Sequence, residues 1–273
     1  MTGSRTVLVT GANSGIGLAT ALELARLGFR TVGSVRSESK AETLTTAAQE
    51  RGLVVETILL DVTDAARCAE VIEEVRPWGL VNNAGFEVTG AVEDVGDETA
   101  RHALETMVVA PMRLARLAIP HMRETGGGSI VNVSSIYGRF TTPLTGWYQA
   151  SKHALEAVSD ALRMEVSSDG IRVSIVEPGG FRTEIFDDVS GRLAGHDDSR
   201  YRDAYQRSAQ TIRLWRPLLG DPARVAKVIA TAMTTRMPRT RYLVGPDAQA
   251  AALAARFIPT SVKDLAARLT LGL

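Results

Sequence analysis

Two side chains with complementary proton chemistry lie four residues apart, Tyr148 and Lys152. The surrounding residues, 147–166, have the apolar spacing of a helix, so both side chains are expected on one helix face. A free tyrosine has a pKa of about 10, and a nearby ammonium group stabilises the phenolate and lowers that value. The pair therefore predicts a tyrosine that acts as a general acid and base. An isolated pair of this kind is also typical of an ordinary surface helix, so other motifs in the sequence must show whether the pair is catalytic.

A glycine-rich segment follows the first apolar run of the chain. Gly11, Gly15 and Gly17 have the spacing Gly-x-x-x-Gly-x-Gly, between the strand-like residues 6–10 and the helical pattern of 18–27. Glycine allows a sharp turn and a close approach of backbone N–H groups to a ligand, and the helix N-terminus adds unpaired donors. The segment predicts a site for the pyrophosphate of a dinucleotide. A tight turn without any ligand is the alternative.

The second predicted strand ends in a basic side chain, at a position where many dinucleotide-binding sites have an acidic one. NAD-specific sites place a carboxylate there to accept from the ribose 2′-hydroxyl. Here the strand ends in Arg36, and no acid lies at the strand end. A guanidinium can donate two parallel hydrogen bonds to a phosphate. Arg36 therefore predicts NADP(H) as the cofactor, with a solvated surface arginine as the alternative.

Short β-branched runs alternate with helical patterns along the whole chain. This alternation predicts an α/β fold, a single Rossmann-type doubly wound parallel sheet of about seven strands with helices on both faces. The predicted strands cover residues 6–10, 31–35, 54–60, 129–133, 173–176 and 241–244, with one more beginning at Leu80. The predicted helices cover residues 18–27, 40–49, 99–123 and 147–166. One domain over residues 1–273 is expected, with the irregular stretch 184–220 as a substrate-binding lid.

Composition narrows the class of protein. The 31 basic and 31 acidic residues balance, which gives no general attraction to nucleic acid. The single cysteine, Cys68, excludes an intrachain disulfide and a cysteine-based zinc site. No signal-like or membrane-spanning apolar segment is recognisable, so a cytoplasmic protein is expected. Residues 222–273 carry eight basic and two acidic residues, and their apolar runs leave a membrane-surface helix as an alternative to packing on the protein itself.

Taken together, these motifs resemble those of short-chain dehydrogenases/reductases, over roughly residues 5–245. The matching segments stand in the order and spacing of that family: residues 10–17, 82–85, Ser135, 148–152 and 178–179. The C-terminal half, including residues 239–246, is similar to the 17β-hydroxysteroid and retinol dehydrogenase branch.

The resemblance implies a role for each matching position. Ser135, thirteen residues before Tyr148, would donate a hydrogen bond to the reacting oxygen, and Lys152 would also hold the nicotinamide ribose. The implied cofactor-binding residues are Gly11, Ser14, Ile16, Gly17, Arg36, Asp61, Val62, Asn83, Ala84, Gly85, Tyr148, Lys152, Pro178, Gly179 and Thr183.

One position departs from the family pattern. The resemblance places an asparagine in the helix after Asn-Ala-Gly, where it is thought to hold a water that links the lysine to solvent, and Met107 stands there instead. A thioether cannot replace the donors and acceptor of an amide. Met107→Asn should therefore give a faster but less stable enzyme if a relay is missing, or a less stable and no faster enzyme if Met107 is core packing. The intact Ser135, Tyr148 and Lys152 favour the missing relay.

The sequence thus predicts an NADP(H)-dependent oxidoreductase that moves a hydride between nicotinamide and a small-molecule carbonyl or secondary alcohol, with Tyr148 as general acid and base. A dinucleotide-binding sensor or scaffold with little turnover is the alternative. A homodimer or homotetramer is expected, because the helices at 99–123 and 147–166 resemble the family's dimer contact. Their outer faces are expected to carry apolar side chains: Met112, Leu117, Leu155 and Val158.

Overall fold

The computed structural model describes residues 5–183, Leu193 and residues 198–273. Within these residues, seven strands form one sheet in the order β3-β2-β1-β4-β5-β6-β7, and every pairing is parallel. The strands are β1 (Thr6–Thr10), β2 (Arg30–Val35), β3 (Glu56–Leu59), β4 (Gly79–Asn82), β5 (Gly128–Val133), β6 (Ile171–Pro178) and β7 (Arg241–Val244). The order reverses between β1 and β4, and such a switch point opens a crevice at the carboxyl ends of the strands.

Helices connect the strands. They are α1 (Gly15–Arg26), α2 (Glu38–Gln49), α3 (Ala65–Val75), α4 (Asp97–Leu104), α5 (Ala110–Glu124), α6 (Gly146–Glu165), α7 (Arg202–Trp215), α8 (Pro222–Thr234), α9 (Pro246–Phe257) and α10 (Thr260–Leu271). Local sequence explains several boundaries. The carboxylate of Asp64 accepts a hydrogen bond from the backbone N–H of Arg67 and caps α3, and Asp221 caps α8 ahead of Pro222.

Strand alternation divides the core into two layers. Val7 and Val9 face one side of the sheet and pack with residues of α1, α2 and α8. Leu8 faces the other side and packs with residues of α3 and α5. The strands are apolar on both faces, as expected for a parallel sheet covered by helices. The predicted doubly wound α/β sheet of about seven strands is confirmed.

Two segments differ from their predicted form. The helix expected over 99–123 is α4 and α5 joined by a π-helical turn, Glu105–Val109. The stretch 184–220 was expected to be irregular, but it contains helix α7 and a 3₁₀ turn, Arg216–Leu218. Residues 184–192 and 194–197 of that stretch, including Phe186, lie outside the described residues.

The outer faces of the two long helical segments are also less apolar than expected. Leu155 is buried in the core and does not face outward, while Met112, Leu117 and Val158 are half-buried. In the described part of the chain, no helix is long and apolar enough to cross a bilayer.

Candidate active site

A cleft of about 1070 Å³ lies at the carboxyl ends of the strands, at the switch point between β1 and β4. Every catalytic and cofactor-binding residue predicted from the sequence lies on the wall of this cleft. They are Gly11, Ser14, Ile16, Gly17, Arg36, Asp61, Val62, Asn83, Ala84, Gly85, Ser135, Tyr148, Lys152, Pro178, Gly179 and Thr183. The position agrees with the general rule that ligands of open α/β sheets bind outside the carboxyl ends of the strands.

The glycine-rich loop between β1 and α1 has the geometry of an anion cradle. Gly11 has a φ of +64° and Gly15 a φ of +52°, a left-handed backbone that other residues adopt at a cost. A Cβ on Gly17 would collide with the carbonyl oxygen of Gly11, so the loop closes tightly on the first turn of α1. The side chain of Ser14 at the N-cap makes no capping hydrogen bond. Free donors at this helix start fit a dinucleotide pyrophosphate.

Asn83 holds the glycine-rich loop in place. Its side-chain amide donates to the carbonyl oxygens of Thr10 (2.9 Å) and Gly11 (3.2 Å). In the other direction, the hydroxyl of Thr10 accepts from the backbone N–H groups of Asn83 (2.9 Å) and Ala84 (3.0 Å). These bonds join the ends of β1 and β4 across the switch point. The polar side chain of Asn83 therefore supports the loop from behind.

Two cations line the end of the cleft beside β2. Arg36 follows the last residue of β2 and is exposed, and Lys40 lies one turn further along, in α2. Asp61 lines the same cleft, and the backbone N–H and the hydroxyl of Thr63 donate to its carboxylate at 2.9 and 2.7 Å. Although burial opposes them, these two bonds hold the pKa of Asp61 below its ordinary value. Arg36 and Lys40 give this end a positive charge that suits a phosphate.

The reaction centre is formed by α6 and the loop after β5. Ser135 caps the short 3₁₀ turn Ile136–Gly138, and its hydroxyl accepts from the backbone N–H of Tyr137 at 3.2 Å. The rings of Tyr137 and Tyr148 meet edge to face, with centroids 6.2 Å apart. The ammonium of Lys152 donates to the carbonyl oxygen of Val133 at 2.9 Å and lies 5.6 Å from the centre of the Tyr148 ring.

Burial dominates the electrostatics of the reaction centre. It raises the pKa of Tyr148, with Glu87 acting in the same direction and the Ser135 hydroxyl against it. Burial also lowers the pKa of Lys152 to about 8, against the opposing charge of Glu156. The sequence predicts a lowered pKa for Tyr148, whereas burial shifts it upward in this geometry. A tyrosine carries its proton at neutral pH with or without this shift.

Met107 lies at the centre of the π-helical turn and is 1% exposed. It packs with Val88 and Ala103, and Trp147 and Tyr148 lie against the same cluster. Its sulfur is 3.4 Å from the position that a Cβ on Gly85 would take. A π-helical turn often marks a functional site. Here it places an apolar side chain against the wall of the reaction centre.

Several cleft residues were not identified from the sequence. Lys40 was hidden in a helical pattern, although its position four residues after Arg36 is a usable signal. Asp247 accepts from the backbone N–H of Gly180 at 2.5 Å and fixes the segment after β6. Further wall residues come from elements far apart in the sequence, so no local motif predicts them, among them Phe86, Glu87, His102, Thr106, Tyr137, Leu218, Leu219 and Arg224.

The predicted lid contributes only part of its apolar side chains to this cleft. Ile212 and Trp215 of α7 line it. Leu193 and Tyr205 are buried elsewhere, in a small separate core. The Tyr205 hydroxyl accepts from the backbone N–H of Ala91 at 2.6 Å and donates to Asp94 at 2.7 Å. Helix α7 is therefore anchored beside the cleft as well as facing it.

Comparison with known proteins identifies the class. The family model described as short chain dehydrogenase matches residues 5–193. Retinol dehydrogenase 5 of Homo sapiens is 35% identical over 94% of this chain and 86% of its own length. The 17-beta-hydroxysteroid dehydrogenase type 6 of Bos taurus is 33% identical over 94% of this chain and 86% of its own. A crystal structure of a variant actinorhodin polyketide ketoreductase with NADPH has a TM-score of 0.78 and 27% identity over 88% of this chain and 95% of its own.

The chain belongs to the short-chain dehydrogenase/reductase family. It is an oxidoreductase of that family, similar to the branch of retinol and 17β-hydroxysteroid dehydrogenases, as its sequence motifs predicted. Members of this family bind a nicotinamide dinucleotide, and the cradle between β1 and α1 fits its pyrophosphate.

Proposed function

We propose that this protein is an NADP(H)-dependent carbonyl reductase or alcohol dehydrogenase, with Tyr148 as its general acid and base. One observation carries the proposal: Ser135, Tyr148 and Lys152 meet in the same cleft as the glycine-rich phosphate cradle. Such a meeting joins a site for a dinucleotide to a positioned proton donor. A sensor or scaffold without turnover would need the cradle but not the three side chains.

NADP(H) is favoured over NAD(H) by the charge at the ribose end. Arg36 and Lys40 both line the cleft there, and β2 ends without a carboxylate. Arg36, Lys40 and the first turn of α1 would hold the phosphates, and Pro178, Gly179 and Thr183 would flank the nicotinamide. The cofactor would supply or accept the hydride.

The protein's own residues would control the proton. Tyr148, which as a phenol is protonated at neutral pH, donates to a carbonyl oxygen as negative charge develops on it. The Ser135 hydroxyl donates a hydrogen bond to the same oxygen and stabilises that charge. In alcohol oxidation the same groups act in reverse, and Tyr148 accepts the proton.

The lining of the cleft supports an apolar class of substrate. Beyond the reaction centre the wall carries a group of apolar side chains: Phe181, Ile212, Trp215, Leu218 and Leu219. This lining favours a mostly apolar ketone or secondary alcohol over a highly charged one. The names of the relatives, retinol and 17β-hydroxysteroid dehydrogenases, are compatible with such a substrate.

The experiment compares the parent enzyme with Tyr148→Phe, using NADPH oxidation against a panel of apolar ketones, aldehydes and quinones. Tyr148→Phe should lose at least about a hundredfold in kcat while NADPH affinity stays within a factor of about two, because only the acid is removed. Tyr242→Phe is the matched control, since its hydroxyl contacts the backbone of Arg239 outside the cleft.

Two results would contradict the proposal. Tight NADPH binding without turnover of any carbonyl would favour the sensor alternative. A Tyr148→Phe variant that keeps more than about a tenth of its activity would assign the proton to another group.

A further inference from the structure

Behind Lys152, on the side away from the cleft, lies a second group of titratable side chains. Glu156 follows Lys152 by one turn of α6, and Glu177 lies near the end of β6. The side chain of Glu177 is 0% exposed and that of Glu156 is 9% exposed. Buried carboxyl groups are costly unless a partner or a proton neutralises them. Neither glutamate lines the cleft.

Three oxygen atoms of this group have no hydrogen-bond partner in the described part of the chain. They are the Ser134 hydroxyl, Oε1 of Glu156 and Oε2 of Glu177. The first two both lie within 3.2 Å of the point that a Cβ on Gly138 would occupy. Ser134 also donates its backbone N–H to Val176, the residue before Glu177, at 2.8 Å. The Ser134 hydroxyl and Oε1 of Glu156 therefore lie around one interior point, and Glu177 belongs to the strand that Ser134 contacts.

The remaining oxygens of the two carboxyl groups are held by arginines. Nε of Arg241 lies 3.0 Å from Oε2 of Glu156 and 3.3 Å from Oε1 of Glu177, which also accepts from Nε of Arg139 at 2.9 Å. Arg241 reaches Asp160 as well, and Asp160 is paired with Arg163. The charged groups that face the pair come from three elements: Lys152, Asp160 and Arg163 from α6, Arg139 from the loop after β5, and Arg241 from β7.

The group extends along α6 from the reaction centre toward solvent. Tyr148, Lys152, Glu156 and Asp160 follow one another at intervals of four along α6, so their side chains form a row on the helix. Tyr148 lies at the cleft, and Asp160 lies at the other end with a third of its side chain exposed. Lys152 is joined to the strand that precedes Ser134 through the carbonyl oxygen of Val133.

The titration behaviour of the group suits proton exchange near neutral pH. Burial, reinforced by the charge of Glu156, raises the pKa of Glu177 to about 7, in spite of Arg139 and Arg241. Burial lowers the pKa of Lys152 to about 8. Because the pKa values of this carboxylic acid and this amine are close, transfer of a proton between them costs little free energy.

We infer that the buried carboxyl group of Glu177, beside Glu156, carries one exchangeable proton and that this proton recharges Lys152 after each reduction. The inference rests on the proposed function. When a carbonyl is reduced, its oxygen takes the proton of Tyr148, and Tyr148 recovers one from the ammonium of Lys152. The neutral amine then recovers a proton from this group across the region of the unpartnered oxygens, and the group recovers a proton from solvent at the Arg241 and Asp160 edge. Glu156 and Glu177 act through Lys152 and are not themselves catalytic residues.

This route would replace a relay through the helix that carries Met107. The side chains around Met107 are apolar, whereas the row behind Lys152 supplies a titratable group at each turn of α6. A purely structural ion-pair network, which fastens β7 to α6, is the competing explanation. The two explanations differ in what they predict for repeated turnovers.

The experiment compares a single turnover with steady-state turnover in Glu156→Gln and Glu177→Gln. In a single turnover Tyr148 already holds its proton, so the single-turnover rate should fall by less than about twofold. Steady-state kcat should fall by about tenfold, which is a smaller loss than that caused by removing the direct proton donor. The solvent deuterium effect on kcat should rise in both variants, and imidazole should restore part of kcat as an external proton donor.

Arg163→Gln is the matched control. It removes the ion pair between Arg163 and Asp160 in the same network but no group on the proton route, so it should weaken the ion pairs without changing the solvent deuterium effect. If Arg163→Gln behaves as the two glutamate variants do, or if single-turnover and steady-state rates change together in all three, the network is structural and the inference is wrong.

A measurement without turnover separates the exchangeable proton on Glu177 from the proposed function. The infrared carbonyl band of a buried protonated carboxylic acid should appear as the pH falls through about 7 and should be absent in Glu177→Gln. The band with no reductase activity would contradict the proposed function alone. Reductase activity without the band would contradict the exchangeable proton alone.

Discussion

Replacing Met107 with asparagine tests whether the proton supply runs through the helix after β4. Met107 is 1% exposed and packs among apolar groups on the wall of the reaction centre. An amide placed there brings two donors and one acceptor into a site that offers few partners. Each buried polar group left without a hydrogen bond costs about 1–3 kcal/mol. For a chain of this size, that corresponds to roughly 2–4 °C in Tm per kcal/mol.

With the carboxyl pair behind Lys152 as the proton source, Met107→Asn should be less stable and no faster. This reverses the outcome that the sequence favoured, because the structure places Met107 in an apolar cluster and the acids on the opposite side of Lys152. The assay measures Tm by calorimetry, together with kcat and its solvent deuterium effect for NADPH-dependent reduction.

Met107→Leu is the control for the Met107 experiment, since it conserves volume and keeps the site apolar, at a cost below about 1.5 kcal/mol. A Met107→Asn enzyme with higher kcat and a smaller solvent deuterium effect would refute the reasoning. It would show that proton transfer through this helix had been limiting.

Four further predictions concern other parts of the molecule. Arg36→Ala should lower kcat/KM for NADPH about tenfold and leave kcat/KM for NADH unchanged, since a charge-assisted hydrogen bond to an exposed phosphate contributes a free energy at the low end of the range for such bonds. The control Arg51→Ala should change kcat/KM for neither cofactor. Stability should fall as pH rises from about 4.5 to 7, because the folded state holds the Glu177 proton more tightly than the unfolded chain does, and Glu177→Gln should flatten that slope in thermal melts. Light scattering should give a dimer or tetramer, and a monomer mass at micromolar concentration would contradict it. Proteolysis of residues 184–220 should slow when NADPH and substrate are added, and equal rates would exclude a lid.

Local patterns were sufficient for the fold and for most of the cleft wall. The β-branched runs around residues 7–9 and 130–133 are buried strands on a parallel sheet, so periodicity and composition both identified them. The glycine-rich loop was recognisable because its spacing is imposed by backbone geometry, with left-handed φ at Gly11 and Gly15. These features depend on neighbours in the sequence, which is why they could be predicted without a structure.

Features that depend on distant parts of the chain were not predictable in the same way. The π-helical turn around Met107 has no local composition that distinguishes it from the helices on either side. Helix α7 was taken as irregular because its surface is strongly polar, and its buried Tyr205 bonds to residues more than a hundred positions away. The upward direction of the pKa shift of Tyr148 was not predictable for the same reason, because burial depends on the whole fold.

The two sides of Lys152 differ in a way that constrains how the site can exchange protons. On the cleft side, Tyr148 packs beside the Met107 cluster, and burial raises its pKa. On the far side, the next ionisable groups are Glu156 and Glu177, held by arginines that reach solvent. A proton that leaves Tyr148 during reduction must be replaced before the next turnover, and an apolar wall conducts protons poorly. We therefore expect Lys152 and Tyr148 to recover their protons through the row of polar side chains on α6.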